Sequence, residues 1–286
     1  MGREVRFTMA AWLAAAGLTL ACEQREAAAP AAAPGSAPAA EAAPASTEPA
    51  AEPPAADLEE KALAIVRRAA QLLRGQQRFT VTVDTDYDTV QPEGGEKIEY
   101  GASRRIFIQR PDRIRVEAQP RDAGPRVTTF DGRLLTVLDV AQNAYAQVER
   151  AGDIDATLDF VQDELSIPMP LSELWRAEPS RDLEADLRVA YFVGTDHLDG
   201  VRCDRVFLRN DRADGQFWIE QGESPRFHRV VITYRKEEGQ PALRARFSDW
   251  NFAPDAGDEA FSFSPPAGAE RILFAARTRA AETEAR

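Results

Sequence analysis

Arg113-Ile114-Arg115-Val116-Glu117-Ala118-Gln119 is the stretch that decides the fold class. Ile114, Val116 and Ala118 are apolar, the residues between them are charged or amide-bearing, and a β-strand sends successive side chains to opposite faces. One face of this strand is therefore dry and the other wet, the pattern of an antiparallel sheet solvated on one side. Leu134, Thr136, Leu138 and Val140 carry the same spacing and read as the dry face of a later strand. Following the period of two outward marks strands at 79–90, 96–109, 113–119, 125–131, 133–140, 143–149, 187–198, 201–209, 215–221, 227–236 and 242–252. Turn signals separate them, among them Pro92-Glu93-Gly94-Gly95, Pro111-Asp112, Asp131-Gly132 and Asp199-Gly200, so the strands run as hairpins in series.

Two stretches keep a helical period instead. The first has Asp57 as N-cap and Glu60 as capping-box partner, ends at Gly75, and lines up Leu58, Ala62, Ile65, Ala69, Leu72 and Leu73 on one stripe. The second, 155–165, repeats Leu158, Val161 and Leu165, and a shorter turn over 170–176 adds Leu171, Leu174 and Trp175. A sheet of this many strands tends to curl, and helical stripes need an apolar surface to cover. The expected fold is mainly β with α: an incomplete, half-open antiparallel β-barrel of about eleven strands with helices covering its concave face.

The N-terminus supplies an address. Arg3 and Arg6 precede an uncharged run from Phe7 to Ala21 that is short for a membrane span, and Ala21 stands directly before Cys22. This reads as a lipoprotein signal with Cys22 as the lipidated residue, although Thr19 stands where such signals usually carry leucine. An ordinary secretory cleavage and a retained signal-anchor are the alternatives. Residues 27–56 contain 16 Ala and 7 Pro and nothing large and apolar, which makes them a spacer. The expected division is thus signal peptide 1–21, lipidated cysteine and disordered tether 22–56, β domain 57–274 and disordered tail 275–286. The expected location is the periplasm, anchored to the outer membrane through Cys22, with Glu23 as the sorting hint.

Catalytic signatures are missing. No Gly-x-Ser-x-Gly, His-Glu-x-x-His, Cys-x-x-Cys or phosphate-cradling glycine loop occurs, and His197 and His228 are too isolated to define a metal site. Asp84-Thr85-Asp86-Tyr87-Asp88 begins like a calcium loop but has Thr89 and Gly95 where that loop needs Gly and Glu; alternation instead puts its carboxylates on one wet face. Cys203 sits among apolar residues and reads as a buried small hydrophobe rather than a reactive thiol. A formal charge of -12 argues against nucleic acid as a partner. No cofactor, metal or enzyme activity is expected, an unrecognised hydrolase being the remote alternative.

Further segments carry a resemblance. Arg110-Pro111-Asp112-Arg113-Ile114-Arg115-Val116-Glu117, Phe130-Asp131-Gly132, Gly200-Val201-Arg202-Cys203-Asp204, Phe217-Trp218-Ile219-Glu220, Ser224-Pro225-Arg226, Val231-Ile232-Thr233-Tyr234, Ser248-Asp249-Trp250 and Pro265-Pro266-Ala267-Gly268-Ala269 follow one another in order. Over roughly residues 58–274 the chain resembles an uncharacterised bacterial family of predicted periplasmic proteins, domain of unknown function 2092. That family is similar in fold to the Lol lipoprotein carrier and receptor, LolA and LolB, whose concave apolar cavity holds acyl chains. The resemblance implies a non-enzymatic protein that binds a lipid or acyl ligand; no cavity residue carries over from it, and the apolar strand residues Ile114, Val116, Leu134, Leu138, Phe217, Trp218, Ile232 and Tyr234 are the candidate cavity lining. A cell-envelope protein is the alternative partner, for a module with a packed core and no ligand.

Overall fold

A computed structural model describes residues 55–274 apart from 166, 168 and 256. The signal segment, Cys22, nearly all of the tether and the 275–286 tail lie outside the described residues. Helix α1 (Ala55–Arg74) opens the described chain, so Asp57 falls inside its first turn and is not its N-cap. A meander follows: β1 (Arg78–Val90), β2 (Lys97–Gln109), β3 (Arg113–Pro120), β4 (Arg126–Phe130), β5 (Leu134–Asp139) and β6 (Ala144–Glu149). Next come α2 (Ile154–Asp163), a 3₁₀ turn (Ser172–Leu174) and the short α3 (Pro179–Leu183). The second meander is β7 (Leu187–Leu198), β8 (Val201–Asn210), β9 (Ala213–Glu220), β10 (Phe227–Tyr234) and β11 (Ala242–Asn251). Another 3₁₀ turn (Asp258–Phe261) and β12 (Glu270–Ile272) complete it.

All twelve strands form one sheet in the order β12-β6-β5-β4-β3-β2-β1-β11-β10-β9-β8-β7. Pairing of β1 with β11 joins the two meanders, and every neighbour is antiparallel except β12, which runs parallel to β6. The terminal strands β12 and β7 do not pair with each other, so the sheet is open and not a closed barrel. The hairpins obey their turn residues: Asp199 and Gly200 both have positive φ, at 53° and 79°, the geometry of a type I′ turn that matches strand twist.

Register divides the sheet into an inner face, against which the helices pack, and an outer one. Phe79 pairs with Ile108, Ile108 with Ile114, Ile114 with Phe130 and Phe130 with Leu135, placing one apolar row on the inner face. Val81, Ile106, Val116 and Val137 form the next row. Helix α1 buries Ala62, Val66, Ala69 and Leu73 and packs on β7, β8 and β9, with the Lys61 Nζ 3.5 Å from the centre of the Phe192 ring. Its outward side is tied down by ion pairs from Arg67 to Glu184 at 2.6 Å and from Arg74 to Glu178 at 2.8 Å. Helix α2 is capped by Asp153, whose side chain accepts from the Ala156 N–H at 2.8 Å, and contributes Ile154, Leu158 and Val161 to the same buried cluster.

A β-bulge shapes the end of β11. Thr80 pairs with Asn251 but Thr82 with Ser248, so Asp249 and Trp250 together oppose one residue of β1, and Asp249 takes φ of 52°. The extra residue brings Phe247 and Trp250 to the same side, stacked with ring centres 5.9 Å apart.

The outer face is not wet throughout. The segment after β11 crosses it: Phe261 sits 4.6 Å from the Phe107 ring and Phe263 5.1 Å from the Tyr145 ring, while Arg113 pairs with Asp258 at 2.5 Å. Arg115 Nη1 donates to the Ala260 carbonyl at 3.1 Å and Asn143 Nδ2 to that of Ala267 at 3.2 Å. Burial of Phe261 is complete at 1 % exposure, and one such phenylalanine stabilises by about 1.5–3 kcal/mol.

A candidate ligand-binding face

The two ends of the inner face differ. At what we term the closed end, Phe79 is wholly buried, and its ring lies 6.3 Å from Trp175, 6.0 Å from Trp250 and 6.3 Å from Phe252. Ile108, Ile114, Phe130, Leu135 and Val148 share that cluster with α2. The turn before β3 helps hold α2 here, since the Pro111 carbonyl accepts from Ile154 N–H at 3.0 Å and Arg110 Nη1 donates to the Trp175 carbonyl at 3.2 Å. Burial depresses the Arg110 pKa below the ordinary arginine value, and the field of Asp155 partly opposes that shift. This end is solid with side chains.

Toward the other end the inner face stays apolar but is less covered. Val116, Ala118 and Val137 on one side and Ile232 and Tyr234 on the other are half-buried. Between them Tyr87 stacks on its cross-strand partner Tyr100 at 5.9 Å, and Leu243 lies level with Tyr87 and Ile232. After α2, Leu165 is buried and Ile167, Met169 and Leu171 pack half-buried against the core, a strap that ends at the Ser172–Leu174 turn. Glu173 at its end comes near enough to Tyr234 to help burial push that phenol's pKa up. Both Tyr234 and Tyr87 are raised chiefly by burial, so each hydroxyl remains a neutral donor at physiological pH.

Three charged residues stand in one row on this face: Arg126 pairs with the buried Asp139 at 3.5 Å, and Arg104 lies across Ala118 from Arg126. Arg104 shares the inner parity of β2 with Ile106 and Ile108, pairs with Val83 and Ala118, and is half-buried. Its Nη1 donates to Thr85 Oγ1. Burial lowers its pKa, and the neighbouring Tyr87 is the opposing influence.

The expected lining residues separate by parity. Ile114 and Phe217 lie on the inner face fully buried, and Val116, Ile232 and Tyr234 lie there half-buried. Leu134, Leu138 and Trp218 lie on the outer face, so they do not line the inner side. Leu135 and Val137 occupy the inner positions of β5 instead, because Leu134 pairs with Glu149 and Leu138 with Tyr145 on the outer side. Trp218 follows Phe217 and must point the opposite way. It lies between Arg205 and Arg229, whose guanidinium carbons are 4.9 and 5.2 Å from its ring, and donates to Asp196 Oδ2 at 2.9 Å. Arg104, Tyr87 and Tyr100 have no place among the expected lining residues, and of the strap the sequence pattern marks Leu165 and Leu171 but not Ile167 and Met169. A lone arginine in the apolar parity of β2 was the available signal.

Two hollows open on the outer face. One of about 230 Å³ is lined by Thr80, Arg105, Phe107, Arg115, Glu117 and the 254–260 segment, and another of about 400 Å³ by Thr80, Arg105, Asp249 and Asn251. Both have charged residues in their lining, Arg105 with Arg115 and Glu117 or with Asp249, and they lie across the sheet from the half-buried apolar patch.

Other candidates resolve into structure. Cys203 is fully buried with its thiol pushed up to about 11, mainly by burial, which leaves it protonated and unreactive at neutral pH. His228 is buried with Nδ1 3.2 Å from Glu220 Oε1, and Glu220 also accepts from Arg226 Nε at 2.7 Å, an internal polar network. His197 is exposed. Among the described residues no group of three or more His, Cys, Asp or Glu side chains is arranged to hold a metal. Asp84, Asp86 and Asp88 share the outer face, where Asp86 pairs with Arg121 and Asp88 with Arg244, the latter at 2.8 Å. Among the described residues no helix is long and apolar enough to cross a membrane.

No curated protein matches the chain. Among solved structures, an uncharacterised conserved protein from Thermus thermophilus is 12% identical with a TM-score of 0.44, covering 74% of this chain and 99% of its own. The Mycobacterium tuberculosis lipoprotein LppX is 14% identical with a TM-score of 0.42, covering 69% and 98%. A LolA superfamily protein from Nitrosomonas europaea is 13% identical with a TM-score of 0.34, covering 71% and 97%. A family model described as predicted periplasmic protein (DUF2092) matches residues 62–275, most of the sequence, and the chain belongs to that family.

Proposed function

We propose that this is a non-enzymatic envelope lipoprotein, held at the outer membrane through Cys22, that binds a lipid or acyl ligand on the open end of its inner face. One observation carries the reading: the inner face remains apolar beyond the packed cluster, through Val116, Val137, Ile232 and Tyr234, and these side chains are only half-buried. Apolar surface left half-exposed on a covered face is what a removable hydrophobic guest would bury, at about 25 cal/mol per Å². The ligand lies along the sheet at the strap and not in the aromatic cluster, which has no room. The Ala/Pro spacer of 27–56 would let the domain reach ligand away from its anchor. Native mass spectrometry of the protein extracted gently from membranes tests this: a bound lipid mass supports it, and an empty protein that also fails to take up Nile red overturns it.

The free edge favours a second reading, an envelope-protein docking module. Among the described residues strand β7 has no neighbouring strand on one side, and Val189, Tyr191 and Val193 are exposed along it, an arrangement that accepts a partner strand. In-cell crosslinking separates the two readings: docking gives one dominant protein adduct through β7, ligand binding gives none.

A further inference from the structure

We infer that Arg104 is the head-group anchor of the ligand, and that the ligand is therefore an anionic amphiphile whose carboxylate or phosphate sits between Arg104 and Tyr87. The inference rests on the acyl-binding reading above and adds the chemical class of the guest.

The reasoning starts from how arginines are handled elsewhere in the chain. Many are matched with acids, among them Arg244 with Asp88 at 2.8 Å, Arg209 with Asp214 at 2.6 Å, Arg188 with Asp211 at 2.9 Å and Arg113 with Asp258 at 2.5 Å, while Arg229 lies on the Trp218 ring and Arg110 donates to the Trp175 carbonyl. Arg104 has no carboxylate partner among the described residues, although it is half-buried and burial is the largest influence on it. A guanidinium taken from water without a counter-charge is costly, and an apolar substitute at the same position would be cheaper. The sequence nevertheless keeps an arginine in a parity otherwise filled by Ala102, Ile106 and Ile108. Arginine carries five N–H donors in a planar fork that matches carboxylate and phosphate oxygens. Thr85 Oγ1 accepts from Nη1, and none of the other Arg104 nitrogens is sealed in the interior without a partner, whereas Nε and Nη2 of Arg110 are.

The surroundings complete an amphipathic site. Tyr87 follows Thr85, the acceptor of the Arg104 hydrogen bond, by two residues on the same face of β1, and as a neutral phenol it adds a second donor. Asp122, from the turn after β3, also acts on Tyr87, so an incoming anion meets one neighbouring acid and must be drawn in mainly by the arginine. From Arg104 the apolar inner face runs one way to half-buried Val116 and the other, across the buried Val83, Ala245 and Leu243, to half-buried Ile232. Head and chain are thereby recognised by adjacent groups on one face.

Displacement of the uncharged dye Nile red from the full chain tests the assignment. Hexadecanoic acid, its methyl ester and hexadecyl phosphate share a chain and differ in the head. The expected result is that the acid or the phosphate displaces dye about tenfold or more better than the ester, as a charge-assisted hydrogen-bonded pair implies, and that the stronger of the two identifies the head group. Arg104→Gln should remove that preference and leave ester binding intact; Arg104→Lys should keep part of it. Added salt should weaken the anions and not the ester. Equal displacement by all three in the unaltered protein overturns the head-group assignment while leaving acyl binding in place. Failure of every ligand, ester included, overturns the acyl reading and the inference together. The comparison of acid with ester needs no variant, so it stands even if Arg104→Gln does not fold.

Discussion

The two ends of the inner face are built from the same strands yet held together differently. At the closed end the sheet is fastened from within: Phe79, Trp175, Phe247 and Trp250 pack ring against ring over buried Ile108, Ile114 and Phe130. At the open end Val116, Val137, Ile232 and Tyr234 are half-exposed beside the buried Thr85 and Leu243, and the fastening lies on the outer face. There Asp88 accepts from Arg244 and from the Ala242 N–H at 3.0 Å, and Asp214 pairs with Arg209. Strands tied from outside leave their inner surface free for something else. Stability and binding are in this way assigned to different ends of one sheet.

Truncation is the strongest way to break the contrast. Phe79→Ala should cost about 3–5 kcal/mol in urea unfolding, because the removed ring is fully buried among three other aromatics. If the loss is near that of an exposed residue, the closed end is not the packed anchor described. Next in size is Asp88→Asn, expected to cost about 1.5–3 kcal/mol through its charged hydrogen bonds to Arg244 and the β11 backbone. The Arg244 hydrogen bond, then the Ala242 N–H, hold the Asp88 carboxyl below the usual carboxylate range, with burial opposing them. Since its folded pKa is the lower one, its contribution is present above about pH 4 and disappears as pH falls through the folded value. Hydrogen exchange on acidification should therefore loosen β1 and β11 at the open end before the closed end, where apolar burial does not titrate. Simultaneous loosening of both ends would contradict the division.

Smaller still, Ile232→Ser should cost about 1 kcal/mol or less, its side chain being half-exposed, yet weaken Nile red uptake several-fold. A large stability loss with unchanged uptake would move Ile232 from the ligand surface into the core. Cys203 requires no substitution at all. Buried and protonated beside Glu220, it should react with a thiol reagent only as fast as the protein unfolds. Rapid labelling of the native protein would show that its surroundings open easily.

How much of this was legible follows from where the period of two is clean. In β3 one parity is apolar and the other charged, so span and face could both be read. The spans of β5 and β9 were equally clear, but Leu134-Leu135 and Phe217-Trp218 are apolar in both parities, so face was ambiguous. The cause is that the outer side is not simply solvent. Phe261 and Phe263 cover part of it and paired arginines enclose Trp218, so its residues need not be polar. The outer crossing segment and β12 have no periodicity of their own and depend on partners more than a hundred residues away, as Glu270 does on Asn143 at 2.9 Å. The bulge at Asp249 likewise became visible only through its pairing. For the candidate site, Ile232, Tyr234 and Val116 were reachable from pattern alone, whereas Arg104 became meaningful only once its missing carboxylate partner was known.

The most direct test of ligand binding on the open inner face is photolabelling of the intact protein with a diazirine-bearing fatty acid, followed by mass-spectrometric mapping of the labelled residues. Label on Val116, Ile232, Tyr234 and the strap residues Met169 and Leu171, competed away by unlabelled fatty acid, is the expected result. Label confined to the outer hollows around Arg105 and Asn251, or no competable label at all, would contradict it.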